Sequence, residues 1–451
     1  MNSAQYKITA FLLIIFLLPF GAKAQERLPL SQAIQRSLAN NYEIQIEAKS
    51  IEVARNNNNI GEAGYLPSLS VQITQSNTTT VIDNPTSFLS GDVINKGINP
   101  TIALDWNLFD GFRARANKAR LENLQKDTEG NASIVVQNTM QAVIQGYYNA
   151  VFEQERLEVF KKTLTLSREK YDYVALRKEF GSALTADLLL EESNYLQDSL
   201  SYVNQQLSYR NSLRTLNILM AVEDVNTNYI LTNSLEYADR NYNFLVLYNK
   251  MTSNNVNLKR QYVSQSLLRN STQIARADLY PTVSMRLNYS NNINSQDLSQ
   301  ATLNNPDASL PQVPISTSTV NYGASFTVSY NLFNGGRIKR AIQNTVIQEQ
   351  IGAIRIETLQ LSLKRDLQQA LDLYNTRKLL RGIAKRTKES AELNLQISEE
   401  RYKNGTINSF DYRTVQNNFI NAALSELQAT FNLIDANTQL MRLTGGIVEE
   451  F

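Results

Sequence analysis

"WNLFDGFR" at residues 106–113 returns as "YNLFNGGR" at residues 330–337, so one phrase, aromatic-Asn-Leu-Phe-Asn/Asp-Gly-x-Arg, is written twice at an offset of 224. Asp-Gly and Asn-Gly ordinarily announce a hairpin. Here alternating sequence precedes both copies and helical sequence follows them, so the phrase marks a passage from strand to helix. Asp110 and Asn334 are placed to cap the helix that follows, and Gly111 and Gly335 to let a strand turn directly into it.

Working outward, the phrase belongs to a longer duplication. "SLANNYEI" (37–44) matches "MTSNNVNL" (251–258), and "AGYLPSL" (63–69) matches "ADLYPTV" (277–283), both at an offset of 214. Beyond the octets the offset is 224, which pairs Gly181 with Gly405, Asp187 with Asp411, and "LNILM" (216–220) with "LMRLT" (440–444). The difference between offsets falls between Pro67 and Trp106 in one copy and between Pro281 and Tyr330 in the other, so a loop is expected there.

The edges of that segment alternate with period two. Leu69, Val71 and Ile73 face away from Ser70 and Gln72; Ile102, Leu104 and Trp106 face away from Ala103 and Asp105. Val283, Met285, Leu287 and Tyr289, then Ala324, Phe326, Val328 and Tyr330, repeat the pattern. Four strands with one apolar and one polar face are expected, at about 68–80, 101–109, 281–290 and 322–333, with polar loops at 75–100 and 290–321. Strands of about ten residues with this pattern suit an outer-membrane barrel, in which Trp106 and Tyr330 would be interfacial rings against lipid. Four strands cannot close a barrel and an open edge is not tolerated in lipid, so the chain is expected to oligomerise.

The rest is helical. All nine prolines lie within residues 1–100 or 281–314, which leaves 101–280 and 315–451 free of the strongest helix breaker. Val136, Met140, Val143, Tyr147 and Val151, and likewise Ile420, Leu424, Leu427, Phe431, Ile434 and Met441, follow coiled-coil spacing. The opposite faces, with Gln197, Asn204 and Gln205, read as solvated. Two long helices are expected at 112–180 and 337–404, each roughly 100 Å long. Returning helices are expected at 183–220 and 407–443, and single helical stretches at about 30–64 and 246–278. The first repeat would cover 25–245, ending in a flanking equatorial segment at 221–245, and the second 246–451, ending in a C-terminal segment.

Residues 1–24 read as a secretory signal: Lys7, an apolar run from Ile8 to Phe20, and Ala22-Lys23-Ala24 as cleavage site. The run is too short to span a bilayer, and no Cys follows for a lipid anchor. Without Lys7 and Lys23 the chain carries 42 basic and 42 acidic residues, which argues against a nucleic-acid partner. There is no Cys and no His, which removes thiol and His-dependent catalysis, the usual zinc sites and every disulfide; no cofactor and no metal are expected. A carboxylate enzyme would need two facing acids in a cleft, and Asp187 and Asp411 are the only acids paired by the repeat. A trimeric adhesin or coiled-coil stalk is the structural alternative, though strands interrupt the helices twice here.

Taken together, "LPLSQAIQRSLANNYEI" (28–44), "LFDGFR" and "LFNGGR", and "RYKNGTINSFDY" (401–412) make the chain resemble the TolC-like outer-membrane efflux family over nearly all of its mature length. The resemblance implies a mainly α fold with β: a homotrimer whose four strands per chain make a twelve-stranded barrel in outer-membrane lipid, continuing into a helical periplasmic tunnel. It implies a passive exit duct for efflux or type I secretion, docked to a periplasmic adaptor and an inner-membrane pump of RND, ABC or MFS type. At the tip, Tyr402, Gly405 and Thr406 match the family's turn, with Gly181 its first-copy counterpart, and Asp411 matches an aspartate that rings the aperture. Thr414 and Ile407 stand where the family often has a second aspartate and a basic residue. Asp187 and Asp411 remain open to a plainer reading as caps of the returning helices.

Overall fold

The duplication is visible in the order of elements. The computed structural model describes residues 26–303 and 309–447, and the leader expected at 1–24 lies outside the described residues. Along the chain run β1 (Glu26–Leu28), α1 (Leu30–Asn40), α2 (Tyr42–Asn57), α3 (Ile60–Ala63), β2 (Ser68–Ile82), β3 (Leu89–Phe109), α4 (Arg113–Glu179) and α5 (Thr185–Leu219). Then come β4 (Tyr229–Leu231), α6 (Phe244–Asn254), α7 (Val256–Ala277), β5 (Thr282–Leu303), β6 (Ile315–Ser329), α8 (Arg337–Lys403) and α9 (Ser409–Leu443). The long helices α4 and α8 have 67 residues each and the returning helices α5 and α9 have 35 each. Gly130, Gly146, Gly352 and Gly382 interrupt neither long helix.

The helical stretch expected at 30–64 is three helices, and that at 246–278 is two. Asparagine makes the break in both. Asn41 Oδ1 accepts the Glu43 N–H at 2.9 Å, and Asn255 Oδ1 accepts the Leu258 N–H at 3.1 Å. A short amide at the mouth of a helix satisfies backbone donors that have no helical partner, so it starts a new helix where the old one stops.

Two compact units are built from interleaved segments. One gathers the described residues up to Ala48, Asn131–Leu258, and those from Leu359 onward. Its core follows the coiled-coil spacing: Met140, Val143, Tyr147 and Val151 are buried with Ile434 and Met441, and Val136, Leu427 and Phe431 pack against them. Segment 221–245 is tied to this core at two tyrosines. Tyr147 donates to Leu28 O at 2.8 Å beside the parallel pair β1–β4, and Tyr374 donates to Arg240 O at 2.9 Å while Tyr237 and Tyr242 pack on its ring.

Helix α5 departs from expectation. Gln205 is buried, with its amide donating to Glu153 O at 3.0 Å, whereas Gln197 and Asn204 are exposed. Before Leu213 and Leu216 join the apolar core, the residues turned inward are Glu191, Asp198, Gln205 and Ser212, spaced by seven, while Leu189, Leu196 and Val203, also spaced by seven, are exposed. This helix therefore buries a polar stripe within the chain and leaves its apolar stripe uncovered.

The other unit, Lys49–Gly130 with Lys259–Thr358, holds an antiparallel sheet of order β2-β3-β5-β6. The strands run to 15, 21, 22 and 15 residues, so most of the expected polar loops at 75–100 and 290–321 are strand. Backbone pairing does not depend on side-chain polarity, and the β-branched run Thr78-Thr79-Thr80-Val81 favours extension. At the other end β6 stops at Ser329, opposite Thr282, and not at 333 as expected. The next partner residue is Pro281, which has no N–H to give to a ladder. Among the described residues no helix is long and apolar enough to cross a membrane.

Candidate functional site

The sheet carries the first functional surface. Its register lines up apolar cross-strand rows: Trp106 with Met285 and Phe326; Leu69 with Leu104, Leu287 and Ala324; Val71 with Ile102, Tyr289 and Tyr322. Leu69, Val71 and Ile73 stay about 70% exposed, since nothing in the chain covers them. The other face is polar, with Asp105 and Arg286 paired across β3 and β5 at 3.4 Å. One face suits lipid and the other water, as a pore wall requires.

The strand-to-helix seam lies below these rows. Trp106 sits in β3 and donates its indole N–H to Tyr65 O at 3.0 Å, whereas Tyr330 lies just past the end of β6 and is exposed. Asp110 caps α4 by accepting the Ala114 N–H at 2.8 Å; at Asn334 the backbone carbonyl meets the Arg337 N–H at 3.4 Å. The chain then turns through two left-handed residues, Gly111 and Phe112 (φ 68° and 69°) in the first copy, Gly335 and Gly336 (φ 64° and 75°) in the second. A Cβ on Gly111 would come within 2.3 Å of Ala277 O, whereas one on Gly335 would meet nothing within 4 Å.

At their C-terminal ends both long helices close with the same turn. Gly181 and Gly405 donate to Lys178 O and Tyr402 O, and the next residues, Ser182 and Thr406, donate backbone N–H and hydroxyl alike to Arg177 O and Arg401 O. The returning helices then start differently. Asp187 reaches back to accept the Leu184 N–H at 3.1 Å, which makes it a cap. In the second copy Asn408 accepts the Asp411 N–H at 2.8 Å, so the cap is an amide. The exposed Asp411 carboxylate makes no hydrogen bond or ion pair among the described residues.

Tyr402 stands apart from Asp411, in a buried polar cluster that joins four helices. Lys170 of α4 meets Glu191 of α5 at 3.0 Å and donates to Ser409 O at 3.2 Å, while the Ser409 hydroxyl bonds Glu191. Tyr402 and Tyr412 stack at 5.1 Å, and the ammonium lies 5.0 and 5.2 Å from their centroids. Burial pushes the Lys170 pKa down, with Glu191 opposing, and burial pushes the Tyr402 phenol up and that of Tyr412 up to about 12. One turn further along, Arg413 grips Asp198 with two bonds of 2.7 Å, and the Ser167 hydroxyl also bonds Asp198.

Residues 33–222 and 247–446 match the outer membrane efflux protein family, and only 223–246 intervenes. The chain belongs to the outer membrane efflux protein family. Among solved structures, this efflux protein is similar to the outer membrane channel CmeC of Campylobacter jejuni, at 18% identity and TM-score 0.71, covering 92% of this chain and 85% of that one. It is similar to a membrane protein from Pseudomonas aeruginosa at 16% identity and TM-score 0.70, covering 92% and 93%, and to CusC at 15% and 0.70, covering 92% of each. At such identities the likeness is one of fold. No curated protein matches the chain.

The efflux protein is thus an outer-membrane channel with a periplasmic helical domain. Lys170, Glu191, Asp198 and Arg413 were not singled out from the sequence. Their signal was present all the same: Thr163, Ser167, Lys170 and Val174 keep core spacing and all are buried, so polar residues were occupying core positions.

Proposed function

We propose that three copies of this efflux protein close one twelve-stranded barrel and one helical tunnel, fed by a periplasmic adaptor and an inner-membrane pump of RND, ABC or MFS type. The observation that supports this reading is the sheet. Among the described residues β2 pairs only with β3 and β6 only with β5, so both edges are open, on strands of equal length. An open edge in lipid leaves backbone groups unpaired at several kcal/mol each, and joining β6 of one copy to β2 of the next removes every edge. The uncovered Leu189, Leu196 and Val203 stripe on α5 supplies a second surface suited to another copy. Reconstitution in a planar bilayer tests the reading: channels are expected from a crosslinked trimer, and a monomer in mild detergent would overturn it.

The same reading gives the tip residues their roles. Lys170, Glu191, Asp198 and Arg413 hold the two helical hairpins of one copy together, and the free Asp411 carboxylates of three copies ring the aperture and favour cations. Ile407 and Thr414 add no charge to that ring. Multivalent cations are expected to block conduction in the native channel and to lose most of that block in Asp411→Ala; block that survives the substitution would remove Asp411 from the aperture.

A further inference from the structure

A cavity of about 510 Å³ lies beside the first seam, between the first turns of α4 and the last turns of α7, and the channel's established role gives it no task. Arg115, Asn270, Gln273 and Arg276 provide its polar lining, Phe112 and Tyr280 its aromatic lining, and among the described residues no acidic residue lines it. Neighbouring Arg113 is already paired with Asp278, but Arg115 and Arg276 make no ion pair among the described residues. The amide nitrogen of Asn270 is buried with no acceptor. Two unpaired guanidinium groups and an orphaned amide donor, with no competing carboxylate, are chemistry for an anion.

What lies at the mouth narrows the anion further. Past the register shift in β3, Phe109 stands opposite Val283, on the same face of the sheet as Met285 and Leu287. Phe109 meets Phe112 edge-on at 5.3 Å, and Phe112 meets Tyr280 edge-on at 5.7 Å. The lipid-suited face is thereby carried over the seam to the rim of the cavity without a break. A small hydrated anion has no use for such a rim, whereas an amphiphile with apolar chains on that face brings its headgroup to the arginines.

We propose that this cavity binds the phosphodiester headgroup of an anionic membrane phospholipid, with Arg115 and Arg276 holding the charge, Asn270 donating a hydrogen bond, and the acyl chains lying along Phe109 and Phe112. The test is native mass spectrometry of the purified, assembled protein titrated with phosphatidylglycerol, phosphatidylcholine or inorganic phosphate. Phosphatidylglycerol is expected to bind about tenfold or more tighter than phosphatidylcholine, and that preference to vanish in Arg115→Gln/Arg276→Gln. Arg120→Gln, on the same helix but outside the cavity, is expected to keep it. Equal binding of the two lipids, an unchanged preference in the double variant, an equal loss in Arg120→Gln, or displacement of lipid by inorganic phosphate at the same concentration would each overturn the proposal. Should the double variant fail to assemble, the phosphatidylglycerol affinity of Asn270→Leu decides: weakened binding there supports the cavity, and an affinity equal to the native one overturns it.

Discussion

Lys170 and Glu191 meet at 3.0 Å with side chains no more than 4% exposed, one from each arm of the first helical hairpin. A buried pair is most costly when one member goes, since the other is left charged and unpaired. Lys170→Met is expected to destabilise the tip by about 3 kcal/mol, and Lys170→Met/Glu191→Leu to restore most of it. Thermal unfolding of the assembled protein measures both, and a double variant no better than the single one would contradict the account.

Tyr412 supplies the pH dependence. Its folded pKa of about 12 is raised above the ordinary phenol value, chiefly by burial, so its contribution to stability is complete below pH 10 and is lost as pH rises towards 12. Absorbance titration of phenolate is expected to show several buried tyrosines ionising late, and one fewer of them in Tyr412→Phe. The variant is also expected to lose less thermal stability between pH 10 and 12. The depressed pKa of Lys170 has the opposite sign, adding stability as pH rises from its folded value towards 10.5, so the two effects separate by range.

The two seams are expected to differ although they look alike in sequence. Gly335→Ala meets only the cost of a left-handed backbone, about 1 kcal/mol, and is expected to assemble. Gly111→Ala adds a collision with the Ala277 carbonyl and is expected to abolish assembled protein in heated and unheated gel lanes alike. Equal yields of the two variants would show that Ala277 can give way.

Leu196 and Val203 are 54% and 60% exposed, so charge there touches nothing inside the chain. Leu196→Glu/Val203→Glu is expected to keep the native helical circular dichroism while the crosslinked trimer disappears. Loss of helicity along with assembly would mean that the stripe serves the fold of the single chain.

Much of this was readable in residues 106–113 and 330–337. Period-two alternation before the octets and proline-free heptads after them are strong, local signals, and each was written twice. The outer halves of the strands were not legible, because Thr78, Asn95 or Ser316 in a solvated ladder obeys backbone pairing and leaves no hydrophobic pattern. The Asn41 and Asn255 breaks were legible as "NN" in both copies but were passed over in favour of unbroken helices. At the tip, Tyr402, Gly405 and Thr406 could be picked out from a turn phrase, while Lys170 and Glu191 are brought together only by how α4 and α5 pack. Their separation along the chain carries no hint of it.

The helices of the two copies count 67 and 35 residues each, whereas the paired strands differ, 15 and 21 against 22 and 15. Between the copies, length differs in the strands and matches in the long and the returning helices. One residue inserted into α8 turns everything beyond it by roughly 100° and swings Tyr402 off Lys170. An epitope placed in the turn 83–88, by contrast, lengthens only the link between β2 and β3, which makes that turn the place to label the channel with least harm to its helices.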